Sequence, residues 1–424
     1  MSLPLLLLAI LALFLLRVPM AFAILGPALA YLLSEGYTLH LGVRLVMQGI
    51  NSWPLLAVPL FILVGTVATR TEIADRLYDA ALLVLGPLRA GLAYVNIAVS
   101  LGFSWMSGAA LADAAGIGSI EVNHMRKNGY PAEFSVGLSA SSALISPIMP
   151  PSIPAVVYAS VAAVSTGALF AAAVIPALLM TLAVVVTVFL WSRGRPDLVG
   201  EPYNWTATRR ALLRALPPMG APVIILGGIL GGIFTPTEAA GIGALYMLLL
   251  ALSYRTMKVR DVAVIFRDTA VITGQIMLII GASALLSWIL AREQVPQTIA
   301  EVLLGLTDNP IVFLLVVNVL LLLCGMILEP TSALLIITPI LLPVAVQFGV
   351  DPIHLGSIII FNLMIGLLTP PLGGVVFVLS SVTGIPVERV FRGAAFFLPP
   401  MIIVLLLITY VPALTLWLPE AMGL

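Results

Sequence analysis

Four short stretches of this 424-residue chain hold the groups that could do chemistry. They are Ser107-Gly108, Ser146-Pro147-Ile148-Met149-Pro150-Pro151-Ser152, Glu329-Pro330-Thr331-Ser332 and Thr369-Pro370-Pro371-Leu372-Gly373-Gly374. Each interrupts an apolar run with hydroxyls, proline or glycine, so each is predicted to break a helix and free backbone carbonyls. Backbone polar groups cannot stay unpaired against lipid, so irregular chain at membrane depth must be buried in protein or line a polar cavity. Hydroxyl and carbonyl oxygens are the hard ligands a small cation such as sodium needs. Helix amino ends made by the same breaks carry partial positive charge, which suits an anionic substrate. One Pro-Pro pair alone is ordinarily a kink. Two pairs, each about 40 residues after a small-hydroxyl break, point instead to two sites.

Ionisable side chains inside apolar segments are costly and default to function. Asp113 follows the first hydroxyl break, Glu329 opens the second, Glu238 lies in Phe234-Thr235-Pro236-Thr237-Glu238, and Arg292 is the only basic residue between Arg267 and Arg389. Glu238, after Thr235 and Pro236, reads as a first-turn acid that caps a helix. Arg292, beside Glu293, is either a snorkelling helix-end residue or a contact for a charged substrate. Glu329 adjoins Thr331 and Ser332 and is the stronger candidate. His40, His124 and His354 sit in or beside polar loops, where no proton relay is expected. The single Cys324 allows no intrachain disulfide and reads as a small helix residue. Gly227 and Gly231, with Gly228 and Gly232, read as a close-packing helix contact.

The elements that must position these groups are membrane helices. Sixty-one percent of the residues are hydrophobic and nine percent charged, far from the balance of a soluble domain. With about 20 residues per crossing, the length suffices for roughly a dozen crossings. Apolar segments near 91 to 103, 333 to 348 and 372 to 382 are cut by Gly, Pro or polar residues, the mark of broken helices or re-entrant hairpins. A segment at 153 to 192 runs on unusually long. The breaks recur at near-constant offset: 107 to 329 is 222 positions, 129 to 349 is 220 and 150 to 370 is 220. That regularity argues for an internal repeat, with a first half over 1–192, a basic connector over 193–216 and a second half over 217–424.

Basic residues concentrate on the cytoplasmic side of membrane proteins. Nine of the 19 fall in two groups: Arg193, Arg195, Arg209, Arg210 and Arg214, then Arg255, Lys258, Arg260 and Arg267. Two apolar segments separate the groups, so both can face the cytoplasm. The first group also carries Pro196-Asp197 and Asn204-Trp205-Thr206, a surface stretch. The balance of 19 basic and 19 acidic residues gives no argument for nucleic acid. The apolar run at 3 to 16, followed by Ala21-Phe22-Ala23, resembles a cleavable leader, but no positive charge precedes it and Arg17 follows it, so retained segments are expected. No His-Glu-x-x-His, no Gly-x-Ser-x-Gly and no paired acidic cluster supports an intramembrane enzyme, and a channel leaves the matched pairing of the breaks unexplained.

The runs Gly116-Ile117-Gly118-Ser119-Ile120-Glu121, Met125-Arg126-Lys127-Asn128-Gly129-Tyr130 and Ile148-Met149-Pro150-Pro151-Ser152-Ile153 resemble the signature of the large membrane subunit of TRAP (tripartite ATP-independent periplasmic) transporters. Phe234-Thr235-Pro236-Thr237-Glu238-Ala239-Ala240, Gly349-Val350-Asp351-Pro352-Ile353-His354-Leu355-Gly356 and Thr369-Pro370-Pro371-Leu372-Gly373 resemble its later motifs in order and spacing. The resemblance implies an all-α polytopic bacterial inner-membrane protein of two inverted repeats, each with a re-entrant hairpin (near 91–120 and 310–345) and a broken helix (near 135–160 and 355–382). It further implies a scaffold and an elevator-type transport domain, with sodium as coupling ion and no other cofactor. One sodium set would comprise Ser104, Ser107, Gly108, Ser146, Met149, Pro150 and Ser152. The other would comprise Gly325, Glu329, Thr331, Ser332, Thr369, Pro371 and Gly373. Substrate contacts fall on Ser107, Arg292, Glu329, Ser332 and Thr369. The implied partners are a small four-helix membrane subunit, a soluble periplasmic binding protein and an organic anion such as a C4-dicarboxylate or sugar acid. At the first tip the family usually carries a further serine, whereas this chain has Ala109 and Ala110, so one substrate hydroxyl is absent. A stand-alone sodium-coupled anion symporter of similar design is the alternative.

Overall fold

In lipid a chain must satisfy its backbone within itself, as helices or a closed barrel, and apolar runs of about 20 residues do so as helices. A computed structural model describes residues 2–424 except 17, 196–197, 199, 201–202, 255–256, 258 and 308, and the described residues form helices joined by short turns, with no strand among them. Eight of these helices are long and apolar enough to cross a membrane, and a ninth span is bent. Arg17, Pro196, Asp197, Arg255 and Lys258 lie outside the described residues.

The first hairpin is the helix Gly91–Ser107 followed by a return arm over 110–127, whose middle turn, Ala114–Gly118, is π-helical. Gly108 makes the tip in the left-handed region at φ +62°, where glycine carries no Cβ penalty. The first broken helix is Ala132–Ile148 plus Ile153–Ala162, bent by 41°. The second hairpin is Pro310–Ile327 and Pro330–Gln347, and the second broken helix is Pro352–Gly366 and Gly374–Thr383. The apolar segment at 153 to 192 therefore divides at 163–165, and Thr166–Ser192 is a separate 27-residue span capped by Ser165. Pro330–Gln347 stays continuous through Pro339 and Pro343, so the interruption expected there is absent.

The two units run in opposite senses. Ala90 N–H donates to the Leu198 carbonyl at 3.1 Å, and Arg89 donates to the Arg193 and Arg195 carbonyls at 3.2 Å. Helix Gly91–Ser107 therefore starts on the connector's side. Helix Val387–Tyr410 starts there too, because Arg392 reaches Glu133 at 3.4 Å, and the adjacent Phe134 stacks on Trp191 at the end of Thr166–Ser192. Its far end brings the Tyr410 hydroxyl to the Ile311 carbonyl at 3.4 Å, so Pro310–Ile327 starts on the opposite face. Basic residues collect on the cytoplasmic side of membrane proteins, the side expected for this connector. The helix Trp205–Leu230 begins inside the expected 193–216 connector and carries Arg209, Arg210 and Arg214 in its first turns.

Two smaller expectations resolve differently. Thr235 and Glu238 form the reciprocal cap read from sequence, with Thr235 N–H donating to the Glu238 carboxylate at 2.8 Å and Glu238 N–H to the Thr235 hydroxyl at 3.3 Å. Among the described residues the Gly227 and Gly231 pair packs against no other helix. Gly227 has open space around it, while Gly228 makes room for the Phe234 ring where the chain turns back at Gly232.

Candidate functional site

Each hairpin is fixed to its broken helix by a buried asparagine. Asn96 donates to Ser139 Oγ at 2.7 Å and to the buried Glu121 carboxylate, and Ser142 Oγ donates to Asn96 Oδ1 at 2.8 Å. In the second unit, Asn362 donates to Asn318 Oδ1 at 2.5 Å, and Asn318 donates to Thr409 Oγ1 at 3.2 Å. Asn96 and Asn318 are 222 positions apart, the same offset as the hairpin tips. A buried amide group left unpaired is costly, so each cluster holds its hairpin at one depth.

The tips then close on the breaks. A Cβ on Gly108 would stand 2.7 Å from the Pro151 carbonyl oxygen, and a Cβ on Gly366 would stand 2.4 Å from Gly325 carbonyl carbon. Leu372 N–H donates to the Met326 carbonyl at 3.2 Å. Both Pro150-Pro151 and Pro370-Pro371 are cis. Each hairpin end thus lies against one break.

Both tips reach one cavity of about 710 Å³. Ser107 and Gly108 line it from the first hairpin, and Glu329, Thr331 and Ser332 from the second. Helices Ala57–Arg70 and Val259–Arg292 close the other side, contributing Arg70 and Asp268, which form an ion pair.

Asp113, which the expected first set does not include, stands beside that set: it is 4% exposed and the Ser107 and Ser146 hydroxyls lie beside its carboxyl. Both Asp113 carboxylate oxygens and Ser146 Oγ lack a well-formed hydrogen bond among the described residues. Buried oxygens without partners require an explanation, and a bound cation supplies one. Ser104 and Ser152 turn onto their own chain, to Leu101 O at 2.6 Å and Pro147 O at 2.5 Å. Met149 and Pro150 form the buried extended link of the break.

The second set is arranged differently. The Glu329 carboxylate caps its own helix, accepting from Ser332 N–H at 2.9 Å, Ser332 Oγ at 3.1 Å and Thr331 Oγ1 at 2.9 Å. Thr369 Oγ1 bonds back to Gly366 O at 2.9 Å, Pro370, Pro371 and Leu372 are exposed, and Gly373 is buried. No buried unpartnered oxygen belongs to this set among the described residues. Of the substrate candidates, Ser107, Glu329 and Ser332 share the cavity, whereas Thr369 does not line it. Arg292 stands elsewhere, its guanidinium 5.0 Å from the Tyr37 ring centre and 5.9 Å from that of Trp288. That is the helix-end packing role rather than a place in this cavity.

A model of the DctM component of tripartite ATP-independent periplasmic transporters matches residues 7–414. The chain belongs to the DctM family. It is 40% identical over 404 residues to the sialic acid TRAP transporter large permease protein SiaM of Vibrio cholerae, covering 95% of each chain. It is 39% identical over 377 residues to the C4-dicarboxylate TRAP transporter large permease protein DctM of Pseudomonas aeruginosa, covering 88% of this chain and 87% of the relative. The YdaH transporter of Alcanivorax borkumensis shares the fold, with a TM-score of 0.55 at 15% identity over 89% of this chain and 88% of that one. This DctM-family chain is thus a membrane permease subunit rather than an enzyme.

Sequence reading missed Asn96, Asn318, Arg70 and Asp268 in this site. The two asparagines carried a usable signal, since each is a lone amide in an apolar segment and their spacing equals the repeat offset. Arg70 and Asp268 carried none, because each sits near a segment end where a charge is ordinary.

Proposed function

We propose that this DctM-family permease moves an organic anion bearing a carboxylate inward across the inner membrane, driven by sodium entering with it. The observation that carries the reading is the buried meeting of Asp113, Ser107 and Ser146 at the first tip, where both Asp113 carboxylate oxygens and Ser146 Oγ lack a well-formed hydrogen bond among the described residues. A carboxylate among hydroxyls and freed carbonyls suits a small hard cation and gives it a counter-charge. The second set, with Glu329, Thr331, Ser332 and the 369–373 turn, is the assigned place of a second sodium, and Gly325 the close helix crossing beside it. The substrate anion would sit in the shared cavity against Ser107 and Ser332, next to bound sodium.

The opposed hairpins and the cavity between them and helices Ala57–Arg70 and Val259–Arg292 support an elevator motion, in which the two hairpin units slide as one body against those helices. The TRAP family's tripartite make-up supports delivery by a periplasmic binding protein and pairing with a small membrane subunit. The named substrates of the relatives, sialic acid and C4-dicarboxylate, support the anion class.

The test is uptake by proteoliposomes that hold this chain with its small subunit, with binding protein outside. Succinate and N-acetylneuraminate are the first anions to try. Uptake is expected only under an inward sodium gradient. Equal uptake in potassium would contradict sodium coupling.

A further inference from the structure

The cavity between the hairpin tips presents Glu329 and Asp268 to an anion, two carboxylates that repel it, yet it is the proposed path of an anion. Among its described lining residues the one cation is Arg70, at the end of helix Ala57–Arg70. That side chain is 49% exposed and paired with Asp268, whose side chain is 19% exposed. Asp268 also accepts from Arg267, at 2.9 Å. Both ends of the pair stand toward the cytoplasm. Helix Val259–Arg292 begins inside the second basic group, with Arg260 and Arg267 in its first three turns, and Arg76, just past Arg70, stacks 3.5 Å over the Tyr254 ring.

We infer that Arg70 is the anion-receiving residue of this cavity and Asp268 its place-holder. The inference rests on the organic-anion reading and adds to it a recognition residue on the side facing the hairpins. A planar guanidinium takes a carboxylate through two parallel hydrogen bonds, so a substrate carboxylate and Asp268 compete for the same fork. Half-exposed ion pairs are held weakly, because water screens them. When Arg70 turns to the substrate, Asp268 keeps Arg267 and is not left uncompensated. The exchange therefore costs little in either direction, as a release step requires. Arg70 supplies the positive charge at the inward mouth that Arg292, packed on Tyr37 and Trp288, does not.

The test reads local charge directly and needs no substrate. Cys324→Ala removes the single native cysteine, and Gln275→Cys places a reporter thiol on the cavity wall. The full chain, expressed with its small subunit, is labelled in inside-out membrane vesicles with an anionic sulfonatoethyl and a cationic trimethylammonioethyl methanethiosulfonate. The quantity measured is the ratio of the anionic to the cationic labelling rate. Arg70→Gln is expected to lower it about five-fold, because losing one unit charge acts with opposite sign on the two reagents. Asp268→Asn is expected to raise it, and Arg70→Lys to leave it near the parent value. The cationic rate in Arg70→Gln reports that the cavity is still formed. A ratio unchanged in both Arg70→Gln and Asp268→Asn overturns the inference, and so does a reporter that neither reagent reaches. Either result leaves sodium-driven uptake by the unaltered protein to be judged by its own assay.

Discussion

At the tip of the first hairpin, one residue without a side chain and one with a hydroxyl do different work. Gly108 holds φ +62° and lies so close to the Pro151 carbonyl that a Cβ there would stand 2.7 Å from it. Gly108→Ala should destabilise the tip by about 1–3 kcal/mol, the usual cost of a left-handed conformation in a residue with a Cβ. Thermal unfolding of the purified complex would show it, and an unchanged midpoint would mean the tip does not press on the break. Ser107 supplies a hydroxyl beside Asp113 and a face of the cavity. Ser107→Leu is expected to abolish uptake while the protein still inserts, checked by membrane fractionation beside the uptake assay; Thr369→Leu, on the second turn, should do the same. Normal uptake by both would remove the site assignment. Ser107, Ser146 and Glu329 were legible in sequence because hydroxyls and acids stand out in apolar surroundings. The capping role of Glu329 was not, since a lone acid before Pro and two hydroxyls reads equally as ligand and as cap until the hydrogen bonds to Ser332 are seen.

At the scale of elements, the asparagine clusters are what keep each hairpin against its broken helix. Asn96→Leu removes a donor to Glu121 and Ser139 and an acceptor for Ser142, all buried. Leaving such groups unpaired costs about 1–3 kcal/mol each and more for a charged one. Asn318→Leu strips Asn362 and Thr409, which are neutral. The first variant should therefore lower the unfolding temperature more than the second, measured side by side in one detergent. The reverse order would mean that Glu121 is not held by Asn96. Hairpins and broken helices were readable from Pro, Gly and hydroxyl spacing, as at 146–152 and 369–374. The continuity of Pro330–Gln347 was not, because Pro339 and Pro343 look like breaks, and neighbouring helices decide whether a membrane helix tolerates them. The division of 153 to 192 was hidden for the opposite reason. Ala162-Ala163-Val164 is apolar, and the left-handed Ala163 that turns the chain has no sequence signal.

The whole molecule joins two units of opposite sense around one cavity, and their offset of about 220 residues was plain in the sequence. Their opposite directions follow from contacts at the ends, such as Ala90 with Leu198 and Tyr410 with Ile311, which no local pattern encodes. Of the two breaks, one is wrapped in protein and one is more open. The central claim is that paired breaks make oxygen-lined cation sites, the first built around Asp113. Equilibrium binding of radioactive sodium to the purified complex of large and small subunits tests it most directly. Saturable binding is expected in the parent protein, with one class of sites lost in Asp113→Asn and weakened in Ser146→Ala, both otherwise folded. Identical sodium binding by parent and Asp113→Asn proteins would contradict the account.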